Sequence, residues 1–270
     1  MTEPVRIVIA GVSGWVGKAL VAAIQAAGDL RLVGAVSRNA AGRDAGEVAG
    51  LGPIGVPIHA SIGEALATPS DVVIDYTKPD AVKHHALAAL AKGRHVVVGT
   101  SGLTAEDYDK IDVAARQAGK GVLAAGNFSI TATLLRRFAL EAAKHVPDVE
   151  IIDYASAKKP DTPSGTGREL AELMAQVRLA GTSRPVDQLG GARGTRGAAL
   201  GRPIPVQVHS VRMPSFVLSC EAIFGAPDER LVIRHDAGSS AAPYVAGTLL
   251  AARKVSGFIG VRRGLDHVLT

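Results

Sequence analysis

Cysteine occurs once in this 270-residue chain, at Cys220, so no internal disulfide can staple the fold and a reducing cytoplasm is the expected compartment. Aromatic residues are only 4 % of the chain and do not cluster with the basic ones. The stacking platform that nucleic-acid binding uses is therefore missing, and no nucleic-acid partner is expected. No apolar run approaches the ~20 residues of a membrane span, and Met1-Thr2-Glu3-Pro4 lacks the basic and apolar regions of a signal peptide; no membrane partner is expected either. Charge of one sign is never gathered into a block. Thirty Lys and Arg stand against 25 Asp and Glu, a formal +5 spread along the sequence, which suits small anionic ligands. His84 and His85 adjoin in a helical stretch without a second ligand pair at metal spacing, so no metal is expected.

With 47 % hydrophobic and 20 % charged residues the chain is globular, and its length predicts two lobes. The first part alternates strands and helices. Val5 to Ala10 is an apolar run that stops at Gly11, Leu20, Val21, Ile24 and Ala27 recur at helical spacing, and Leu30 to Val36 reads as a second strand. Further units follow: a helix opening at Ser61-x-x-Glu64, strands at Asp71 to Asp75, His95 to Gly99 and Gly121 to Ala125, and helices from Asp80 to Ala91 and after Thr104. Beyond Asn127 the rhythm changes. A helix from Ile130 to His145, a strand from Glu150 to Ala157 and a helix from Thr166 to Leu179 precede a Gly- and Arg-rich stretch, 181–205, expected as a mobile functional loop. Val206 to Arg212, Phe216 to Phe224 and Arg230 to Asp236 then read as successive strands, which predicts a mostly antiparallel sheet. Cys220 lies on an apolar face with Phe216, Leu218, Ala222 and Phe224, a core position. A last helix, Ala242 to Val255, has no sheet partner nearby and is expected to pack back on the first lobe. The reading is an α/β fold with residues 1–126 and 241–270 in one doubly wound domain and 127–240 in a second, α+β domain.

Gly11-Val12-Ser13-Gly14-Trp15-Val16-Gly17 sits between the first strand and the first helix, where a pyrophosphate can rest on backbone N–H groups at the positive helix end. Glycine is needed there because a Cβ would block the turn, the phosphates or the helix packing. This placement predicts a Rossmann-type doubly wound parallel sheet. At the end of the second strand an acidic residue would hold the ribose hydroxyls of NADH; the chain has Ser37-Arg38 instead, which predicts NADPH, with NADH as a possible second cofactor. Tyr76 and Thr77 after Asp75, then Gly99, Thr100 and Ser101, then Gly126, Asn127 and Phe128 all follow C-terminal strand ends, the edge where open α/β sheets bind ligands.

These motifs, with Asp75-Tyr76-Thr77-Lys78-Pro79, Gly99-Thr100-Ser101-Gly102, Asn127-Phe128-Ser129 and Lys159-Pro160-Asp161-Thr162-Pro163-Ser164-Gly165-Thr166, resemble those of the dihydrodipicolinate reductase family, also called 4-hydroxy-tetrahydrodipicolinate reductases. The resemblance spans nearly the whole chain. It implies hydride transfer from a nicotinamide to a cyclic C=C–C=N system, a last helix that completes the cofactor domain, and a homotetramer assembled through the open sheet of the second lobe. It also implies that Lys159, with the Ser164, Gly165 and Thr166 backbone, holds a substrate carboxylate, so a small acidic molecule is the expected partner. A lysine beside N–H groups opening a helix is a physically sound anion site.

The second lobe departs from the family pattern. Where the family carries its proposed proton donor, a histidine, this chain has Ala155, and no histidine lies between His145 and His209. The family's Gly-Glu-His becomes Ser219-Cys220-Glu221, and its Ser-Arg pair becomes Ser239-Ser240. Lys159, Tyr154 or Asp153 could supply the proton, although Asp153 and Tyr154 point to opposite faces of a strand and only one of them can see the substrate. The expectation is a reductase acting on an imine other than the dipicolinate precursor. The alternatives are an authentic 4-hydroxy-tetrahydrodipicolinate reductase, and an NADPH-binding protein without activity.

Overall fold

The computed structural model describes residues 3–184, 188, 190–191 and 197–269. It divides into two compact units, one of residues 1–130 with 240–270 and the other of residues 131–239.

The first unit is a doubly wound sheet of seven parallel strands. In chain order its elements are β1 (Val5–Ala10), α1 (Trp15–Ala26), β2 (Leu30–Val36), α2 (Ala45–Ala49), β3 (Ile58–His59), α3 (Ile62–Ala65), β4 (Val72–Asp75), α4 (Pro79–Ala91), β5 (His95–Val98), α5 (Ala105–Ala118) and β6 (Gly121–Ala124). The C-terminal segment adds α8 (Ala242–Lys254) and β12 (Gly260–Arg263), and the strand order is β12-β6-β5-β4-β1-β2-β3. Both faces are covered, so β1 is apolar on both. Ile7 and Ile9 pack with Leu20, Val21 and Ile24 of α1 and Leu249 of α8, whereas Val8 and Ala10 pack with Val82, Ala86 and Leu90 of α4. Helix starts follow local chemistry: Ser61 accepts from the Glu64 N–H at 3.3 Å, and Thr104 and Asp107 form a reciprocal capping box.

The second unit packs α6 (Ile130–Ala142) and α7 (Gly165–Val177) on one face of a five-stranded sheet made of β7 (Asp148–Ser156), β8 (Ala198–Leu200), β9 (Val206–Met213), β10 (Leu218–Ala226) and β11 (Glu229–Ala237). The order is β11-β10-β7-β9-β8, with three antiparallel pairs and one parallel pair, β7 with β9. Burial alternates along β7: Val149, Ile151, Asp153 and Ala155 are buried, and Glu150, Ile152, Tyr154 and Ser156 are half-buried on the opposite face. Cys220 is buried in this core, and burial pushes its thiol up to about 12.

Three features differ from the expectations. The Val206 strand pairs parallel with β7, because α7 and the segment after it make a crossover long enough to return the chain in the same direction. β12, absent from the reading, closes the edge of the first sheet beside β6. Of the expected loop 181–205, residues 185–187, 189 and 192–196 lie outside the described residues, and the described part contains β8. No helix among the described residues is long and apolar enough to cross a membrane.

Candidate active site

In the first unit the glycine turn is shaped by backbone contact. Gly11 has φ +88°, and a Cβ on it would lie 2.5 Å from the Tyr76 carbonyl oxygen. A Cβ on Gly17 would be driven into the Gly11 carbonyl, so only glycine lets α1 approach the turn this closely. Gly14 caps α1 with no side-chain hydrogen bond, and it is exposed together with Trp15. Val16 is half-buried behind them. The N–H end of a three-turn helix therefore meets solvent at Gly14, where no Cβ stands in the way, the kind of cradle a pyrophosphate requires.

The hydroxyls of Ser13 and Ser37 lie 2.7 Å apart and tie this turn to the end of β2. Arg38 follows, exposed. The first acid after β2 is Asp44, and it is committed elsewhere: it accepts the N–H groups of Gly46 at 2.7 Å, Glu47 at 3.3 Å, Ile54 at 3.0 Å and Val56 at 3.0 Å. Those backbone N–H groups, Ile54 foremost, hold its carboxyl below the usual range. A ribose diol would find no carboxylate here, while a 2′-phosphate would find a guanidinium.

The remaining strand ends are organised by a wholly buried carboxylate. Asp75 accepts from the Thr77 N–H at 2.9 Å, the Thr77 hydroxyl at 2.6 Å, the Thr100 hydroxyl at 3.0 Å and His85 Nδ1 at 2.7 Å. The side chains of Thr77 and Thr100 thus turn inward, and what these turns present outward is backbone, with Ser101 exposed beside them. The Tyr76 ring lies over Gly99, where a Cβ would enter the ring, and 6.0 Å from the ring of buried Phe128. Its hydroxyl is 2.7 Å from Thr248 Oγ1, which donates in turn to the Tyr244 carbonyl at 2.7 Å. Burial pushes the Tyr76 phenol well above its ordinary value. Gly126 opens the last turn, and Asn127 Oδ1 accepts the Ser129 N–H at 2.8 Å to shape it. Trp15 meets Tyr244 edge to face at 5.7 Å. His85, Tyr244 and Thr248 have no place in the sequence-based site, and Asp75 stood there only as part of a motif with no role of its own; Thr248 lies 172 residues from the tyrosine it holds, beyond the reach of local pattern.

In the second unit the anion-binding motif is built around Asp153. This residue is fully buried and accepts from the Ser164 N–H at 2.8 Å, the Ser164 hydroxyl at 2.5 Å, Arg212 Nη2 at 2.8 Å and Ser210 Oγ at 3.4 Å. Two corrections follow. Asp153 is not placed to hand a proton to a ligand, since it is fully buried and its two oxygens are taken by Ser164, Arg212 and Ser210. Ser164 is not part of a ligand cradle, because its N–H and hydroxyl serve Asp153 and its Oγ caps α7 by accepting the Gly167 N–H at 3.3 Å. The N–H groups of exposed Gly165 and half-buried Thr166 remain at the helix end.

Tyr154 is also corrected. It lies on the sheet face away from α7, where its hydroxyl donates to Glu221 at 3.0 Å, its ring meets Phe216 at 5.1 Å and the Arg234 guanidinium carbon sits 5.0 Å above it. Burial, with Glu221 beside it, raises its phenol further. Lys159 Nζ pairs with Asp161 Oδ1 at 2.8 Å, and both side chains are about one-third exposed, at 34 % and 40 %. The lysine, with the Gly165 N–H as a smaller contributor, holds the Asp161 carboxyl below its usual range. The place expected for a ligand carboxylate thus holds one from the chain itself. Arg212 anchors it: Nη2 donates to the Asp161 carbonyl at 2.8 Å while also gripping Asp153, a role the motif reading had missed. Beside this loop a cavity of about 530 Å³ opens between Thr162 and Pro163, Gly197 and Ala198, and Val208 to Ser210. Among the described residues no group of His, Cys, Asp and Glu could hold a metal ion.

Comparison with known proteins covers the chain end to end. The model "Dihydrodipicolinate reductase, N-terminus" matches residues 5–128 and "Dihydrodipicolinate reductase, C-terminus" matches residues 131–269. The 4-hydroxy-tetrahydrodipicolinate reductase of Synechococcus elongatus is 37 % identical over 276 residues, covering 100 % of both chains. That of Desulfitobacterium hafniense is 36 % identical over 272 residues, 99 % of each. Among solved structures, the dipicolinate-bound dihydrodipicolinate reductase of Paenisporosarcina sp. TG-14 superposes with a TM-score of 0.85 at 27 % identity, over 99 % of this chain and 100 % of that one. An amine dehydrogenase of Mycobacterium smegmatis, with a TM-score of 0.69 at 15 % identity over 98 % and 96 % of the two chains, shares the fold alone.

Proposed function

The chain belongs to the dihydrodipicolinate reductase family and is an NAD(P)H-dependent oxidoreductase, and from that premise we propose that it reduces the dipicolinate precursor for which its relatives are named. The observation that carries the proposal is full-length similarity to those relatives, together with Lys159 and its Asp161 partner just before the N-terminus of α7. This is the reading that the sequence analysis held as an alternative. Bound NADPH supplies the hydride. The exposed α1 terminus at Gly14 to Val16 receives the pyrophosphate, and Ser37 with Arg38 receives the 2′-phosphate, which sets NADPH above NADH. Lys159 and the Gly165 and Thr166 N–H groups receive one substrate carboxylate, displacing that of Asp161. With Asp153 and Tyr154 committed elsewhere, Lys159 is the side chain left to deliver the proton, and its ammonium does so while paired to the carboxylate it holds.

A second reading, a cyclic imine other than the dipicolinate precursor, rests on Ala155, which is fully buried and donates nothing, and on Ser240, which brings no positive charge. Kinetics separate the two. Oxidation of NADPH with the dipicolinate precursor at a kcat/KM above that for monocarboxylate cyclic imines upholds the first; the reverse order upholds the second. A rate for the precursor depressed by about 10² to 10⁴ would match loss of a general acid without replacement. Lys159→Met should raise KM for the acidic substrate and lower kcat while leaving NADPH affinity unchanged, and unchanged kinetics would remove Lys159 from the site.

We also propose a homotetramer. The face of the second sheet turned away from α6 and α7 bears Tyr154, and exposed Met213, Val217, Leu231 and Val232 lie on or beside the strands of the same sheet, apolar surface that a partner subunit would cover. Light scattering on the purified protein reads this directly. A reducing cytoplasm suits its single free, buried thiol.

A further inference from the structure

The first sheet carries a cavity of about 370 Å³ at the strand ends opposite the glycine turn, by the N-terminal ends of β1, β4 and β5 and just before β6. Its wall includes Ser70, Arg94, His95, Lys120 and Ser256, with Val5, Val72 and Ala252 as apolar surface. The volume falls within the range of small-molecule sites. Nothing in the proposed reductase chemistry uses it.

Its polar groups are nearly all donors. Ser70 is fully buried and its hydroxyl has no partner among the described residues; Arg94 Nε is likewise buried and unpartnered. An orphaned hydroxyl and an orphaned guanidinium N–H in one cavity wall are costly to leave dry, which points to an acceptor that joins them. His95 Nδ1 accepts the Gly121 N–H at 3.0 Å, so the proton of its neutral ring sits on Nε2, another donor. Burial foremost, aided by the nearby Lys120 charge and opposed by that of Asp71, lowers the His95 pKa. The one carboxylate of the wall, Asp71, is spent on Arg6, with Oδ2 accepting from its N and Nε at 2.8 and 3.0 Å and Oδ1 from its Nη2 at 2.7 Å. The Arg94 charge also acts on the Asp71 carboxyl, and with Lys120 added the wall stays net positive around a donor-lined space.

We propose that this cavity is a binding site for a small anion, a carboxylate or phosphate on a compact body, held by Arg94 and Lys120 with the Ser70 hydroxyl and the His95 Nε2–H. Ser70 and Arg94 gain in the complex the acceptor they lack without it. The apolar patch of Val5, Val72 and Ala252 would take the uncharged part of the ligand.

The test uses the full-length protein saturated with NADPH, so that the phosphate site at the glycine turn is filled. Inorganic phosphate and succinate are titrated separately at constant ionic strength against chloride, and the His95 ring resonances, identified by their loss in His95→Gln, are followed. A saturable shift is expected, and Lys120→Met and Arg94→Gln should each weaken the anion about tenfold, as loss of a charge-assisted contact does. Lys159→Met should leave it unchanged, which separates this cavity from the substrate site and makes the result independent of the proposed reaction. Response to phosphate, to succinate or to both names the charged group of the ligand. Absence of any saturable shift, or wild-type binding in both Lys120→Met and Arg94→Gln, overturns the proposal. Lys120 is half-exposed and its substitution keeps the aliphatic stem, so that variant decides the matter even if Arg94→Gln does not fold.

Discussion

Arg38 stands exposed beyond β2, and the nearest acid that could replace it as a ribose partner, Asp44, has four backbone N–H groups on its two oxygens. The proposed preference for NADPH therefore rests on one side chain. Arg38→Ala should weaken NADPH several-fold, by about 1 to 3 kcal/mol for a charge-assisted contact, with NADH affinity nearly unchanged; fluorescence titration of both cofactors measures it, and equal loss for the two would show that Arg38 is only a solvated surface group. Asp161 makes a comparable statement about the substrate end. Its pair with Lys159 is about one-third exposed on each side, so it is worth only ~0–1 kcal/mol, weak enough for the proposed substrate carboxylate to displace. Asp161→Asn should lower KM for a dicarboxylate by up to about fivefold with kcat little changed. A raised KM would mean that Asp161 positions Lys159 in the working enzyme rather than holding its place. The tight backbone of the glycine turn was legible in the sequence because it is a local motif between a strand and a helix. The commitment of Ser164 to Asp153, and of Thr77 and Thr100 to Asp75, was not: a hydroxyl's direction is decided by a buried carboxylate elsewhere, and no spacing rule reports it.

At the scale of elements, pattern reads well where an element is buried on a definite face. β1, β2, β4, β5 and β6 announce themselves as short apolar runs ended by Gly or a polar turn, and the helices between them by caps such as Thr104. β3 is two residues long and β12 is Gly-Val-Arg-Arg, an edge strand with one partner, so neither carries an apolar signal. The parallel pairing of β7 with β9 depends on how a long crossover returns, a non-local matter. β10 was read correctly through Cys220, and that residue makes a pH prediction. Its thiol, raised by burial to about 12, stays protonated in the folded chain well above the ordinary thiol value. The folded state then binds more protons than the unfolded one between roughly pH 9 and 12, so the stability that Cys220 contributes is fully present below pH 9 and is lost as pH rises through that window. Thermal melts from pH 8 to 11 should fall less steeply for Cys220→Ala than for the parent, and thiol reagents should react with native protein only on the unfolding timescale. Parallel alkaline limbs in the two proteins would contradict this account.

At the scale of the whole molecule the first unit is made from both ends of the chain, and its completion depends on the last 31 residues, 240–270. Helix α8 brings Thr248, which holds the Tyr76 hydroxyl, and Tyr244, which meets Trp15 at the glycine turn. Leu249, Ala251, Ala252, Val255, Phe258, Leu265 and Val268 join the core cluster that contains Ile7, Ile9 and Leu20. β12 satisfies the outer edge of β6 from Gly260 to Arg263, and the Val261 N–H is held by Asp112 Oδ1 at 2.7 Å. Burying these apolar side chains contributes on the order of 10 kcal/mol at about 1 to 3 kcal/mol each, less for the alanines, which is the size of a whole domain's net stability. A chain ending at residue 239 should therefore keep β1–α1–β2 and its glycine motif in sequence, yet fail to bind NADPH and lose its cooperative melt. The deletion removes no residue of the proposed cofactor contact set, so loss of binding can only report the missing scaffold. Cofactor affinity and hydrogen-exchange protection of β4, β5 and β6 in the truncated chain measure it, and NADPH binding near the parent value would show that the N-terminal segment is a self-sufficient fold.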